Sequence, residues 1–201
     1  MTTDRDDLMA AFAAVVAASG RVRDALVGVS GDAKVLRECA HELDRVADRL
    51  VDSALDPGEP DAVAALTVDP RYGIRDRGLT PRHTITGGDG EQLFGVTTIE
   101  RHFDGVGAVH GGAIALLFDD LLGRLANAAP RSMARTAYLH LDFRHPVPWG
   151  RQLQFFCRVA AVEGRKRFLE GELTLDGQAL AGAGGLWVEL RPSAPVCGSA
   201  R

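Results

Sequence analysis

Lysine is nearly absent from this 201-residue chain: Lys34 and Lys166 are the only two, and the remaining basic residues are arginines. With a net charge of -4 the chain carries no broad basic field, so the polyanionic backbone of a nucleic acid is not an expected partner and any anion site must be local. Cysteine is scarce as well. Cys39, Cys157 and Cys197 are odd in number and widely spaced, which excludes a disulfide framework and a zinc-ligand pattern and points to a reducing cytoplasm. Long hydrophobic runs are missing too, since the apolar stretch from Leu8 to Ala18 is too short to cross a bilayer. It follows an acidic start at Asp4, Asp6 and Asp7, so neither export nor membrane insertion is expected. What remains is a chain 46% hydrophobic and 25% charged, enough for one substantial core with a small helical appendage.

Residues 1–56 read as a helical extension, with an Ala/Val-rich segment to Ala18 and a break near Gly28 to Gly31. A second, amphipathic run follows, in which Val35, Cys39, Leu43, Val46 and Leu50 recur at three- and four-residue spacing. That stripe predicts a packing arm or an oligomer contact. Prolines and glycines collect over 57–81 and predict a linker or covering loop. Beyond it, residues 82–192 form the main domain and 193–201 a tail. Gly87 to Gly90 give a turn signal before a strand at Gln92 to Ile99, and one helix runs from about Gly111 to Ala126. Four strands then follow: a period-two strand around Thr136 to Arg144, then Leu153 to Val162, Arg167 to Leu175 and Ala179 to Leu190. Asp176-Gly177 marks a tight hairpin between the last two. Without a repeated βαβ rhythm the order predicts an α+β fold, an antiparallel sheet with helices on one side.

The chemistry points to the helix. Val109 to Gly123 is almost wholly apolar, begins at a Gly-Gly pair and contains Asp119 and Asp120. Such a helix predicts burial all round, and a mid-helix aspartate in that setting needs a reason. Glycines at a helix start let backbone approach a ligand closely, and the unpaired N–H groups of the first turn stabilise negative charge, as an oxyanion hole requires. Asp119 lies eight residues past Gly111, about 12 Å along the axis, so the two ends of one helix cannot serve one small reacting centre. Two antiparallel copies in a two-fold dimer can, with Asp119 of one chain near Gly112 of the other.

The run HGGAIALLFDDLLG resembles the signature of the hotdog-fold acyl-CoA thioesterases, in particular the phenylacetate-degradation branch and the human thioesterase-superfamily-member group. The family pattern places an acidic residue nine positions after the His of His-Gly-Gly, which is Asp119. The likeness continues through TAYLHLDFRHPVPWG, where Thr136 matches a site threonine, and reaches VEGRKRF, where Arg165 and Lys166 match a basic pair that contacts CoA. It covers roughly Gln92 to Pro192, and three motifs in order are more specific than HGG alone. The resemblance implies a sheet wrapped round the helix and a site at a dimer interface. Asp119 is then the general base for water or the nucleophile that forms a transient anhydride. The amide of Gly112, with Gly111 beside it, polarises the thioester carbonyl, and His110 orients the loop or the thioester. Thr136 hydrogen-bonds the carboxylate or water, and Arg165 and Lys166 hold CoA phosphates.

Read without the resemblance, several of these residues have ordinary roles. A His before Gly-Gly is more often a loop or cap residue than a catalyst, a threonine opening a strand is common, and the cluster at Arg165 to Arg167 is usually a solvated loop. The alternation sets Thr136 opposite the face of Ala137, Leu139 and Leu141. Asp120 is expected to be structural, paired with Arg124 one turn on. His140, Asp142 and His145 do not share a strand face, so no metal site is expected. Gly182, Gly184 and Gly185 predict a bulge or close packing, and Ser30 lacks a nucleophile-elbow setting. The expectation is therefore acyl-CoA hydrolysis without a separate cofactor, by a cytoplasmic homodimer or dimer of dimers. The alternatives are a non-catalytic acyl-CoA sensor or scaffold, an interaction protein working through its N-terminal helices, and an acyl-CoA hydratase.

Overall fold

The computed structural model describes residues 2–52 and 78–191, and the chain divides into two compact units, Met1–Gly78 and Leu79–Arg201. In the first unit α1 spans Thr2–Leu26 and α2 spans Ala33–Asp52. The first helix carries a buried Met9, whereas α2 has no buried residue. Most of the expected linker, residues 57–77, lies outside the described residues, as do 192–201.

Among the described residues the second unit contains six strands and one long helix. The strands are β1 (His83–Gly88), β2 (Gln92–Thr98), β3 (Ala134–Phe143), β4 (Gln152–Glu163), β5 (Lys166–Leu175) and β6 (Gln178–Glu189), with α3 (Gly111–Ala126) between β2 and β3. All pairings are antiparallel, in the order β1-β2-β4-β5-β6-β3. Short connections produce the consecutive pairs. Asp176 and Gly177 both take positive φ, 51° and 82°, as a two-residue hairpin turn between β5 and β6 requires. Strand β1 was not foreseen: Gly87 and Gly88, read as a turn, are its last two residues, and the turn follows at Asp89. There the Asp89 carboxylate accepts the amides of Glu91 and Gln92 at 3.0 and 2.9 Å.

The sheet packs on α3, whose Ile114, Leu117, Phe118, Leu121, Leu122 and Leu125 are buried against Leu153, Phe155, Leu169, Leu173 and Trp187 of the strands. Close approach is built into the sheet at Gly171, where a Cβ would stand 2.8 Å from the Phe118 ring, so the strand passes under the ring only without a side chain. Gly182 and Gly185 mark close packing, against Arg144 and against Trp187 and the Tyr138 carbonyl. At the helix C-terminus the buried Arg167 donates to the carbonyls of Ala126 and Ser132 at 2.7 and 2.6 Å and pairs with Glu189 at 3.0 Å. A cation there satisfies orphan carbonyls and complements the helix dipole. Asn127 closes the same end, accepting the Ala134 amide at 2.7 Å and donating to the Gly123 carbonyl at 2.8 Å, which delivers the chain into β3.

Leu121 is fully buried at the centre of this contact while Val162 is 54% exposed. Leu121→Ala is expected to cost about 2–5 kcal/mol of stability in urea unfolding, and Val162→Ala within about 0.5 kcal/mol.

Candidate active site

Helix α3 is not buried all round. Gly112 and Asp119 are exposed and Ala115, Leu116 and Gly123 are half-buried, so one stripe at three- and four-residue spacing stays open. The reason lies at the sheet edge: β3 is the last strand in the order, and among the described residues no further strand covers this flank.

Strand β3 runs along that stripe. At its start Thr136 Oγ1 donates to Asp119 Oδ1 at 2.9 Å. At its end Phe143 lies over the start of the helix, where a Cβ on Gly111 would come within 3.1 Å of the ring. The expected face of Thr136 is corrected by a register irregularity between Thr136 and Tyr138. Thr136 is paired with the buried Trp187, whereas Tyr138 is paired with Leu186. One extra residue at Ala137 reverses the alternation, so Thr136 shares the helix-facing side with Leu139 and Leu141.

At the helix start His110 is the N-cap, and its Nδ1 accepts the Gly112 amide at 3.0 Å. The capping role expected of a His before Gly-Gly is present, and the Gly112 N–H is engaged by it. The backbone around His110 is held by its own amide to Phe103 O at 2.7 Å and by Val109 N to Val147 O at 2.8 Å, which ties the HGG loop to two other loops.

Asp120 points the other way, into the protein. Its Oδ2 lies 2.7 Å from Arg124 Nε, the expected partner one turn on, and 3.3 Å from His83 Nε2 on β1, which the sequence did not suggest. Burial alone would raise this carboxyl. The His83 hydrogen bond and the Arg124 charge and hydrogen bond outweigh it and hold the carboxyl below its ordinary 3.8. The two adjacent aspartates are thus divided by direction: Asp120 fastens the helix to β1, and Asp119 faces the open stripe.

The basic pair is exposed at the start of β5. Arg165 donates to the Glu189 carbonyl at 2.9 Å, while Lys166 stands in the register row of Val188 and Arg135, next to the row of Arg167, Trp187 and Thr136. Only β6 lies between Lys166 and β3, so two strand spacings, about 10 Å, separate them. The chain therefore brings Asp119 and Thr136 together, sets His110 and Gly112 at the far end of the same stripe, and leaves Arg165 and Lys166 near the Asp119 end. Among the described residues no cluster of metal-ligating side chains occurs.

A profile of the family described as thioesterase superfamily matches residues 106–181, which covers α3 and its stripe through to β6. Over these residues the domain resembles the thioesterase superfamily. Its fold, a sheet wrapped on one long helix, is the hotdog. The crystal structure of RHA08564, a thioesterase superfamily protein, superposes with a TM-score of 0.73 at 29% identity, covering 89% of this chain and 90% of that one, a likeness that extends beyond the hotdog domain. The acyl-coenzyme A thioesterase THEM4 of Rattus norvegicus is 33% identical over 102 residues, 47% of this chain and 42% of the relative. That of Bos taurus is 34% identical over 88 residues, 43% of this chain and 35% of the relative. The match thus spans about two-fifths of the length of these curated relatives. The E. coli PaaI protein from the phenylacetic acid degradation operon shares the hotdog fold, with a TM-score of 0.50 at 18% identity over 54% of this chain and 80% of that one.

Asp120→Asn is expected to cost about 3 kcal/mol, because His83 and Arg124 lose a buried charge partner. Since folding lowers this carboxyl, its contribution is complete above pH 3.8 and is lost as pH falls through the folded-state value. The stability gap between Asp120→Asn and wild type should therefore be full at neutral pH and close in acid, as read by denaturant midpoints across pH.

Proposed function

We propose that the protein hydrolyses acyl-CoA thioesters to a free acid and CoA, at two equivalent sites shared between the chains of a homodimer. The observation that carries this reading is the course of β3, which begins at the Asp119–Thr136 bond and ends at Gly111. Ten residues of exposed strand edge invite pairing with another strand. Antiparallel self-pairing about the middle of β3 sets the start of one strand beside the end of the other. Asp119 and Thr136 of one chain then face the partner's HGG loop, across stripes of Ala115 and Leu116 suited to an acyl chain. One helix cannot join these parts and two can.

In that site Asp119 accepts a proton from water as the water oxygen attacks the thioester carbonyl carbon. Thr136, donating to Oδ1, leaves Oδ2 for the water. The carbonyl oxygen gains the negative charge and takes the Gly112 N–H, displacing His110 Nδ1 as its acceptor. Collapse breaks the C–S bond, and the departing CoA sulfur recovers the proton from Asp119. Attack by Asp119 itself, through an anhydride, uses the same geometry. Arg165 and Lys166 are the cations for CoA phosphates, reached along the sheet end adjoining Thr136. The names of the rat and bovine relatives support the substrate class.

The test is thiol release from short, medium, long and aromatic acyl-CoAs. Asp119→Asn is expected to lower kcat on the order of a hundredfold or more in a folded dimer, and Thr136→Val roughly tenfold or more. Replacing Arg165 and Lys166 by Ala should raise KM and leave kcat. Undiminished turnover in Asp119→Asn would exclude the aspartate mechanism, and tight CoA binding by wild type without thiol release would make the domain a sensor.

A further inference from the structure

Among the described residues, α2 carries a continuous exposed apolar stripe. Along its 20 residues Leu36, Cys39, Leu43, Val46 and Leu50 recur at intervals of three, four, three and four, the a and d positions of two heptads. All are exposed, Leu43 at 45% and Leu50 at 52%, although the opposite face carries Lys34, Arg37, Glu38, Asp44, Arg45 and Asp48. The stripe continues into an apolar cleft of about 540 Å³ whose walls include Val22, Leu26, Val35, Cys39 and Leu43. A heptad seam left unburied among the described residues has the pattern that one helix of a pair presents to the other.

The residues flanking the seam say what the other half is. The e positions are Ala40 and Ala47, and the g positions Val35, Glu42 and Arg49. In an antiparallel pair g residues meet g residues. With Leu43 set against the partner's Val46, Glu42 meets the partner's Arg49 and Arg49 the partner's Glu42, two opposite-charge pairs related by the dyad. The layers are then Cys39 with Leu50 and Leu43 with Val46, each occurring twice, and Ala40 comes against Ala47, where small side chains permit close approach. Sliding the pair by one heptad either way sets Glu42 against Glu42 or Arg49 against Arg49. Parallel pairing sets Glu42 against Ala47 and gains no ion pair. Charge thus selects one direction and one register.

We propose that α2 is a self-association helix, pairing antiparallel with α2 of a second copy of this chain in the register that joins Cys39 to Leu50. This contact is separate from the strand-edge dimer invoked for catalysis.

Cross-linking of the full chain tests it, in a Cys197→Ser background. Cys157 does not compete, since it is buried and its thiol is pushed up to about 12. Under mild oxidation Leu50→Cys should give a covalent dimer through Cys39, because the two cysteines face each other across the pair. The parent should not, since its two Cys39 residues stand about 16 Å apart along the antiparallel helices. Adding Glu42→Arg should slow cross-linking several-fold, and adding Arg49→Glu to that variant should restore it, with unchanged circular dichroism throughout. Equal cross-linking of the parent through Cys39 would overturn the antiparallel arrangement. Absence of cross-linking in Leu50→Cys, or its indifference to Glu42→Arg, would overturn the pairing itself.

Discussion

One apolar helix must be covered by one sheet, and the six strands are too few to cover it all round. Six large side chains of α3 are buried against β4, β5 and β6, with Arg167 and Asn127 closing its C-terminus and His83 holding Asp120 from β1. Among the described residues no strand covers the flank beyond β3. Completing the cover would bury the stripe that carries Gly112 and Asp119, so the incomplete core and the candidate site are one feature.

The same constraint explains why adjacent aspartates have unlike fates. Successive helix positions are about 100° apart, so if Asp120 points inward to two partners, Asp119 lies on the open side. A carboxylate sandwiched between His83 and Arg124 contributes rigidity to the helix that presents its neighbour. The Thr136 hydroxyl then fixes the orientation of Asp119, and this depends on a single extra residue in β3. Without that irregularity the hydroxyl would face away from the helix.

Several elements were plain in the residues. The helix at Gly111–Ala126, the β5–β6 hairpin at Asp176-Gly177 and the Asp120–Arg124 pair follow from local rules: a glycine pair at the start, a two-residue turn, a one-turn spacing. Strand β1 was hidden because Gly87 and Gly88 carry turn chemistry, yet Gly87 lies under the ring of Phe94 and Gly88 against Gln92, a close cross-strand fit visible only once β2 is beside them. His83 gave no signal, since its partner lies 37 positions away on another element. The side of Thr136 was misread because strict alternation assumes an unbroken ladder.

The linear order of residues determined by itself the α+β class, the apolar helix with its HGG start and Asp119, and the amphipathic stripe of α2. Propensity, periodicity and short spacings are properties of neighbouring residues. Tertiary structure alone decided which side of β3 carries Thr136, that His83 of β1 holds Asp120, and that one stripe of α3 stays uncovered. Each of those depends on where a distant strand or loop comes to rest, and no local pattern records it.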